Sequence, residues 1–205
     1  FKYKAAFYER KFFDAFKDLI SDFCIVAHGL PLAFEEWKKT YREDKEHCFT
    51  CYVCCNPDLP NMFIRSDLLE TRYIFVLAQS LGMSGFLRWN YTIWPSDPRR
   101  DIRYPKFQAG DTNMVYPAPD AKPELTLRFM ALRRALEDYE LLKMLEDKGC
   151  NEIREKLISK VISDPDVTHF YDAEGRTIVT FDQISVATEA DYEIFRKEAC
   201  DALSV

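Results

Sequence analysis

Short, continuously apolar segments alternate along this chain with helix-patterned ones, and that alternation limits the fold more than any other feature. Phe23-Cys24-Ile25-Val26-Ala27-His28 is the first apolar run, ended by Gly29 and Pro31. A charged helix is expected over residues 33–45, followed by a second run over 49–54 that Asn56-Pro57 closes. Residues 68–81 read as a largely apolar helix stopped by Gly82, with Ser66 and Glu70 one residue out of register for a capping box, and 85–94 read as a third strand. Apolar runs that do not alternate are strands covered on both faces. Strands separated by helices of this length pair in parallel through right-handed crossovers, so the expected fold class is α/β.

The flanking segments extend the pattern. Phe7, Phe12, Phe13, Phe16 and Leu19 recur at mostly three- and four-residue spacings and predict a helix over 5–19. Residues 95–123 form a long, polar, proline-punctuated connection, uncommon between packed elements unless it builds a site. A strong helix is expected over 124–148, with Leu125, Phe129, Leu132, Leu136, Tyr139, Leu142 and Leu145 as its buried stripe and Gly149 at its end. Beyond it, residues 149–205 read as an accessory tail. It should contain a helix over 151–162, a hairpin joining Phe170-Tyr171 to 177–181 around Asp172-Ala173-Glu174-Gly175, and a terminal helix over 188–203 capped by Thr188 with Asp191.

Charge excludes some partners. The net charge of −6 comes with basic residues scattered among acids instead of forming a stripe, so nucleic acid is not an expected partner. No apolar run approaches the roughly 20 residues needed to span a bilayer, and no membrane association is expected. Phe1-Lys2-Tyr3-Lys4 lacks the features of a secretory signal, and the missing initiator Met suggests numbering that begins inside a longer polypeptide.

Four of the seven cysteines spell Cys48-x-x-Cys51-x-x-Cys54-Cys55, a spacing that invites a zinc or redox reading. A strand sends alternate side chains to opposite faces, so these four cannot converge on one ion, and they read instead as small apolar residues of a buried strand with reduced thiols. No metal or cofactor is implied. Of the three histidines, only His28 sits where a strand would deliver it to a site. The paired acids Glu43-Asp44, Glu137-Asp138 and Glu146-Asp147 fall on helices, where acids normally make the solvated face.

Chemistry concentrates in Gly85-Phe86-Leu87-Arg88-Trp89-Asn90-Tyr91-Thr92-Ile93-Trp94-Pro95-Ser96-Asp97, with Gly110-Asp111 and Val115-Tyr116-Pro117 following. Sugars present apolar ring faces edged with hydroxyls, so their sites combine flat aromatics with Asp, Asn or Arg partners. Trp89, Tyr91, Trp94, Asp97 and Asp111 supply that mixture.

The string from Cys51-Tyr52-Val53-Cys54-Cys55-Asn56-Pro57 through Pro60-Asn61 resembles the C-terminal half of family 123 glycoside hydrolases. So do Glu70-Thr71-Arg72, Gly85-Phe86-Leu87-Arg88-Trp89, Ala109-Gly110-Asp111, Met114-Val115-Tyr116-Pro117 and Leu132-Arg133-Arg134-Ala135-Leu136-Glu137-Asp138-Tyr139-Glu140, in the family's order. The resemblance implies the C-terminal part of a (β/α)8 TIM-type barrel over residues 1–148. Its last three strands would be 23–28, 49–54 and 85–91, and the accessory hairpin and terminal helix would follow over 149–205. A complete barrel of this kind needs about 250 residues. The family's implied activity is retaining hydrolysis of terminal β-linked N-acetylgalactosamine, assisted by the substrate's acetamide, with an Asp orienting the acetamide and the following Glu protonating the leaving oxygen. No Asp-Glu dipeptide occurs in this chain. The resemblance therefore assigns it no catalytic residue and makes it a wall of the sugar site: Trp89, Tyr91 and Trp94 as aromatics, Asn56, Asp97 and Asp111 as hydroxyl partners. Arg88 and Arg133 read as ion-pairing residues, with Glu70 and Glu137 as candidate partners. An open barrel edge calls either for the missing N-terminal strands or for self-association through that edge. The alternative function is a non-catalytic carbohydrate-binding or regulatory module.

Overall fold

In a computed structural model of the protein the described residues are 3–8, 10–27, 47–120, 122–164, 167–174 and 176–204. A four-stranded sheet is built from β1 (Lys4–Phe7), β2 (Asp22–Val26), β3 (Cys48–Val53) and β4 (Gly85–Arg88), in that spatial order and all parallel. Helix α1 (Arg10–Phe16) connects β1 to β2, and α2 (Leu68–Ser80) lies between β3 and β4. Parallel pairing is what the alternation of apolar runs and helices implies; the order of the strands could not be read from it and is seen in the sheet itself. The expected helix over 33–45, His28 and the Glu43-Asp44 pair lie outside the described residues.

The helix expected over 5–19 is a correction: its first part is strand β1. Lys4 pairs in register with Asp22 and Phe7 with Ile25, and the Phe7 ring packs 6.2 Å from Phe23. Lys4 Nζ also donates to Asp22 and to Thr50 Oγ1. Pairing with a buried neighbour strand overrides the helical spacing of these phenylalanines, and both arrangements bury Phe7.

Every residue of α2 from Glu70 to Gln79 is buried, which an apolar helix without a polar face requires. It lies in the core shared by Phe23, Ile25, Cys51 and Val53 of the sheet and by helix α3 (Leu127–Lys148), with Phe75 close to both Phe86 and Tyr139. Its N-cap is Asp67, one residue beyond the expected Ser66. Asp67 accepts from Leu69 N while Glu70 Oε1 accepts from Asp67 N, a complete capping box. Glu70 Oε2 also accepts from Asn61 N at 2.8 Å, so one carboxylate ties the connection after β3 to the helix start.

Helix α3 starts at Thr126, whose hydroxyl accepts from Phe129 N, and ends at Gly149 in the left-handed conformation. Its buried stripe is Leu132, Ala135, Asp138, Tyr139, Leu142 and Leu145. Leu125 and Leu136, expected in that stripe, are 56% and 47% exposed, so the inward face is narrower than the apolar spacing implied. Asp138 takes part in the packing: Arg72 Nε on α2 donates to it at 2.7 Å, and Arg196 on α6 (Glu189–Leu203) lies 2.9 Å from its other oxygen. Burial works against the Arg72 charge, but its bonds to Asp138 and Glu189 outweigh that and hold the guanidinium above its ordinary range. The same group lies 3.7 Å over the Tyr192 ring.

After α3 come α4 (Asn151–Val161), a 3-10 turn at Val167–Phe170, α5 (Phe181–Ile184) and α6. The expected hairpin shrinks to one antiparallel bridge, Tyr171 with Thr177. Phe170 is buried at the end of the 3-10 turn and 181 opens α5, where Gln183 Oε1 accepts from Thr180 N, so neither arm is long enough to extend the ladder. The tail joins the main core through Leu157, Phe170, Ile184, Tyr192, Phe195 and Ala199.

Thr188 caps α6 as expected: its N–H and hydroxyl donate to Asp191 Oδ2 at 2.9 and 2.7 Å. Those bonds, the backbone one first, hold the Asp191 carboxyl below its usual range. Stability from a depressed carboxyl is present above the unfolded value of about 4 and is lost as pH falls through the folded one. Asp191→Ala should therefore lower the unfolding free energy by about 1 kcal/mol at neutral pH, and urea melts near pH 3 should show that difference shrinking. An undiminished difference in acid would remove the carboxylate from this account.

Candidate functional site

The C-terminal ends of the parallel strands open onto one rim, where βα proteins place their sites. β3 leads there into Cys54, Cys55 and Asn56, and β4 leads into Trp89. Asn56 is exposed, followed by cis peptide bonds at Asn56-Pro57 and Leu59-Pro60. Its carbonyl accepts from Cys54 N at 3.1 Å.

Past β4 the chain doubles back. Ile93 N donates to Thr112 O, Met114 N donates to Tyr91 O, and Thr92 bridges Asn113, so the segments around 91–93 and 112–114 run antiparallel along the rim. Asn90 Oδ1 starts this path by accepting from Thr92 N and Ile93 N. The intervening connection returns as β5 (Val115–Tyr116), which pairs with β6 (Glu124–Leu125) just before α3.

Two buried arginines hold the returning chain by its carbonyls. Arg88, the last residue of β4, donates to Val53 O and Gly110 O at 3.3 Å and is bonded to both the carbonyl and the carboxylate of Asp111. Arg128, in the first turn of α3, donates to Met62 O at 2.9 Å, Gly110 O at 2.8 Å and Asn113 O at 2.8 Å. Burial lowers both guanidinium groups, Arg128 to about 10 with the Arg88 charge adding to the effect, while Asp111 partly offsets the fall for Arg88. Gly110 has φ +87°, and a β-carbon there would sit 2.8 Å from Arg128 and 2.9 Å from Ile64. Only glycine satisfies both the backbone angle and the space.

The expected site residues separate into distinct roles in this geometry. Trp89 is half-buried, donates through Nε1 to Asp111 Oδ1 at 3.0 Å, and has Phe107 5.3 Å away. Trp94 anchors through Nε1 to Val115 O at 2.7 Å. Asp97 is exposed, and its oxygens accept from Arg100 N and Asp101 N in the next turn. Tyr91 is 38% exposed and lines a groove of about 780 Å³ along α3 with Phe129, Leu132, Leu136 and Met144. Asp111 is fully buried behind Trp89, so in this arrangement its carboxylate meets Trp89 and Arg88 and is no outward-facing hydroxyl partner. Sequence reasoning missed Arg128 and Phe107; neither lies in a run of site-type residues, and only the folding back of the connection brings them here.

Arg88 pairs with Asp111 and not with Glu70 or Glu137, because it points between β3 and the returning chain. Arg133 pairs with Glu137 one turn along α3. The seven cysteines are free; Cys54 and Cys55 Sγ lie 3.6 Å apart, and burial pushes Cys54 up to about 11. Among the described residues no group of three His, Cys, Asp or Glu could hold a metal ion.

The family model described as glycoside hydrolase 123, catalytic domain, matches residues 1–145. A solved structure of a family 123 glycoside hydrolase from Clostridium perfringens, studied for glycolipid glycan hydrolysis, is similar in fold at 22% identity and a TM-score of 0.66. The match covers 100% of this chain and 34% of that one, so the chain spans about a third of that protein's length. No curated protein matches.

Proposed function

Because the chain belongs to the glycoside hydrolase 123 family, we propose that it is the C-terminal part of a (β/α)8 barrel that hydrolyses terminal β-linked N-acetylhexosamine, N-acetylgalactosamine first among them. The observation that carries this reading is the half-buried Trp89, held at the C-terminal end of a parallel strand, with a second tryptophan, Trp94, anchored on the connection that follows. In that reading β1 to β4 are the final strands, one more than the apolar runs alone revealed. Residues 1–148 make the barrel part and 149–205 its accessory tail, a division supported by a family match that stops at 145.

Trp89 and Trp94 then offer aromatic surface to the sugar ring and acetamide, Asn56 and Asp97 bind hydroxyls, and Tyr91 borders the site from the α3 side. The acetamide oxygen serves as nucleophile, so the protein needs only a group to orient the acetamide and an acid for the leaving oxygen. An adjacent Asp-Glu pair outside this sequence supplies them, and the chain alone is inert. Glycolipid glycans are candidate substrates through the similarity to the Clostridium perfringens enzyme. The lack of an Asp-Glu dipeptide also supports a second reading, a sugar-binding or regulatory module.

The test is hydrolysis of an aryl β-N-acetylgalactosaminide by this chain and by a longer polypeptide that includes an upstream Asp-Glu pair. Turnover by the longer form alone is expected. Turnover by this chain would mean that the catalytic groups have been misplaced, and turnover by neither would leave the binding module.

A further inference from the structure

We propose that Asp111 is a positioning residue for Trp89: its buried carboxylate fixes the orientation of the indole that faces the strand-end rim. Three observations carry this. The carboxylate is fully buried, yet Oδ1 is shared between the Trp89 indole N–H at 3.0 Å and Arg88 Nη2 at 3.2 Å. Arg88 is itself fixed by the carbonyls of Val53 and Gly110, so Asp111 is held from a direction independent of Trp89. Trp89 is only half-buried, with Phe107 tilted at 35° beside it, and a partly exposed indole without a fixed N–H partner has two side-chain torsions free to reorient.

A carboxylate that merely balanced the Arg88 charge would need no bond to the indole. Sharing one oxygen between the two donors makes the strand-end arginine and the rim tryptophan parts of one unit. Asp111 then influences a ligand through Trp89, without touching it. That last step rests on the carbohydrate reading; the orientation of the indole does not.

The experiment uses the whole chain, labelled with ¹⁵N in its tryptophans, in four forms: unaltered, Trp89→Phe, Asp111→Asn and the double variant. Trp89→Phe identifies the Trp89 indole resonance by its disappearance and leaves the Arg88–Asp111 pair in place. Asp111→Asn should move that resonance upfield and broaden it. In titrations with N-acetylgalactosamine, each single variant should weaken binding about tenfold, and the double variant no more than either, the non-additivity expected of groups that act as a unit. Should Asp111→Asn not fold, Asp111→Glu keeps the charge for Arg88 while displacing the oxygens, and the same indole shift is expected.

An unmoved resonance in the Asp111 variants would overturn the proposal, as would effects that multiply to about a hundredfold in the double variant. If the unaltered chain does not bind the sugar and the longer polypeptide does not hydrolyse its aryl glycoside, the carbohydrate reading fails; with or without sugar binding, the indole resonance decides whether Asp111 holds Trp89.

Discussion

Asp138→Ala is expected to lower the unfolding free energy by about 3–5 kcal/mol, because it leaves a buried guanidinium without its main counter-charge. Arg72 keeps only Glu189, whose side chain is 62% exposed, and its position over the Tyr192 ring. Arg196 loses its partner on the same carboxylate, although it retains Glu137 Oε2 at 2.9 Å and the Arg134 carbonyl. The double change Asp138→Leu with Arg72→Met should recover most of the loss, since an apolar replacement of comparable volume leaves no charge to compensate. Chemical denaturation of the three proteins makes the comparison, and a loss below about 1 kcal/mol in Asp138→Ala would show that water reaches the site and screens it.

Gly110→Ala should cost about 2–4 kcal/mol, the sum of a strained backbone and an overfilled contact. The added carbon would press on the Arg128 guanidinium, which already donates to the Gly110 carbonyl, and on the Ile64 side chain. Gly82→Ala isolates the backbone contribution: its φ is +71° with nothing within 4 Å of the new carbon, so about 1 kcal/mol is expected there. Equal losses at the two positions would show that Arg128 and Ile64 yield without cost.

The sheet was legible where side-chain pattern and burial coincide. The segments at 23–28, 49–54 and 85–94 overlap β2, β3 and β4, because strands covered on both faces have no polar side to disguise them. β1 was not legible: Lys4 and the part-buried Ala5 precede Phe7, and the phenylalanines beyond it are spaced for a helix. Local capping chemistry could be read at Thr188, where two residues settle it, but slipped by one position at Asp67. The rim could be read only as a set of residue types. Trp89 and Asp111 are far apart in sequence, and only the return of the chain across β4 shows that one supports the other. The sequence places Asp138 in a packing and capping segment, but its ion pairs could not be read there: its partners come from α2 and α6, which no pattern within α3 reveals.

Arg88 and Arg128 grip the rim connection through the carbonyl oxygens of Gly110, Asp111 and Asn113. Every amino acid carries that oxygen. Apart from Gly110 and Asp111, the hold of the two arginines is therefore insensitive to which side chains the connection carries.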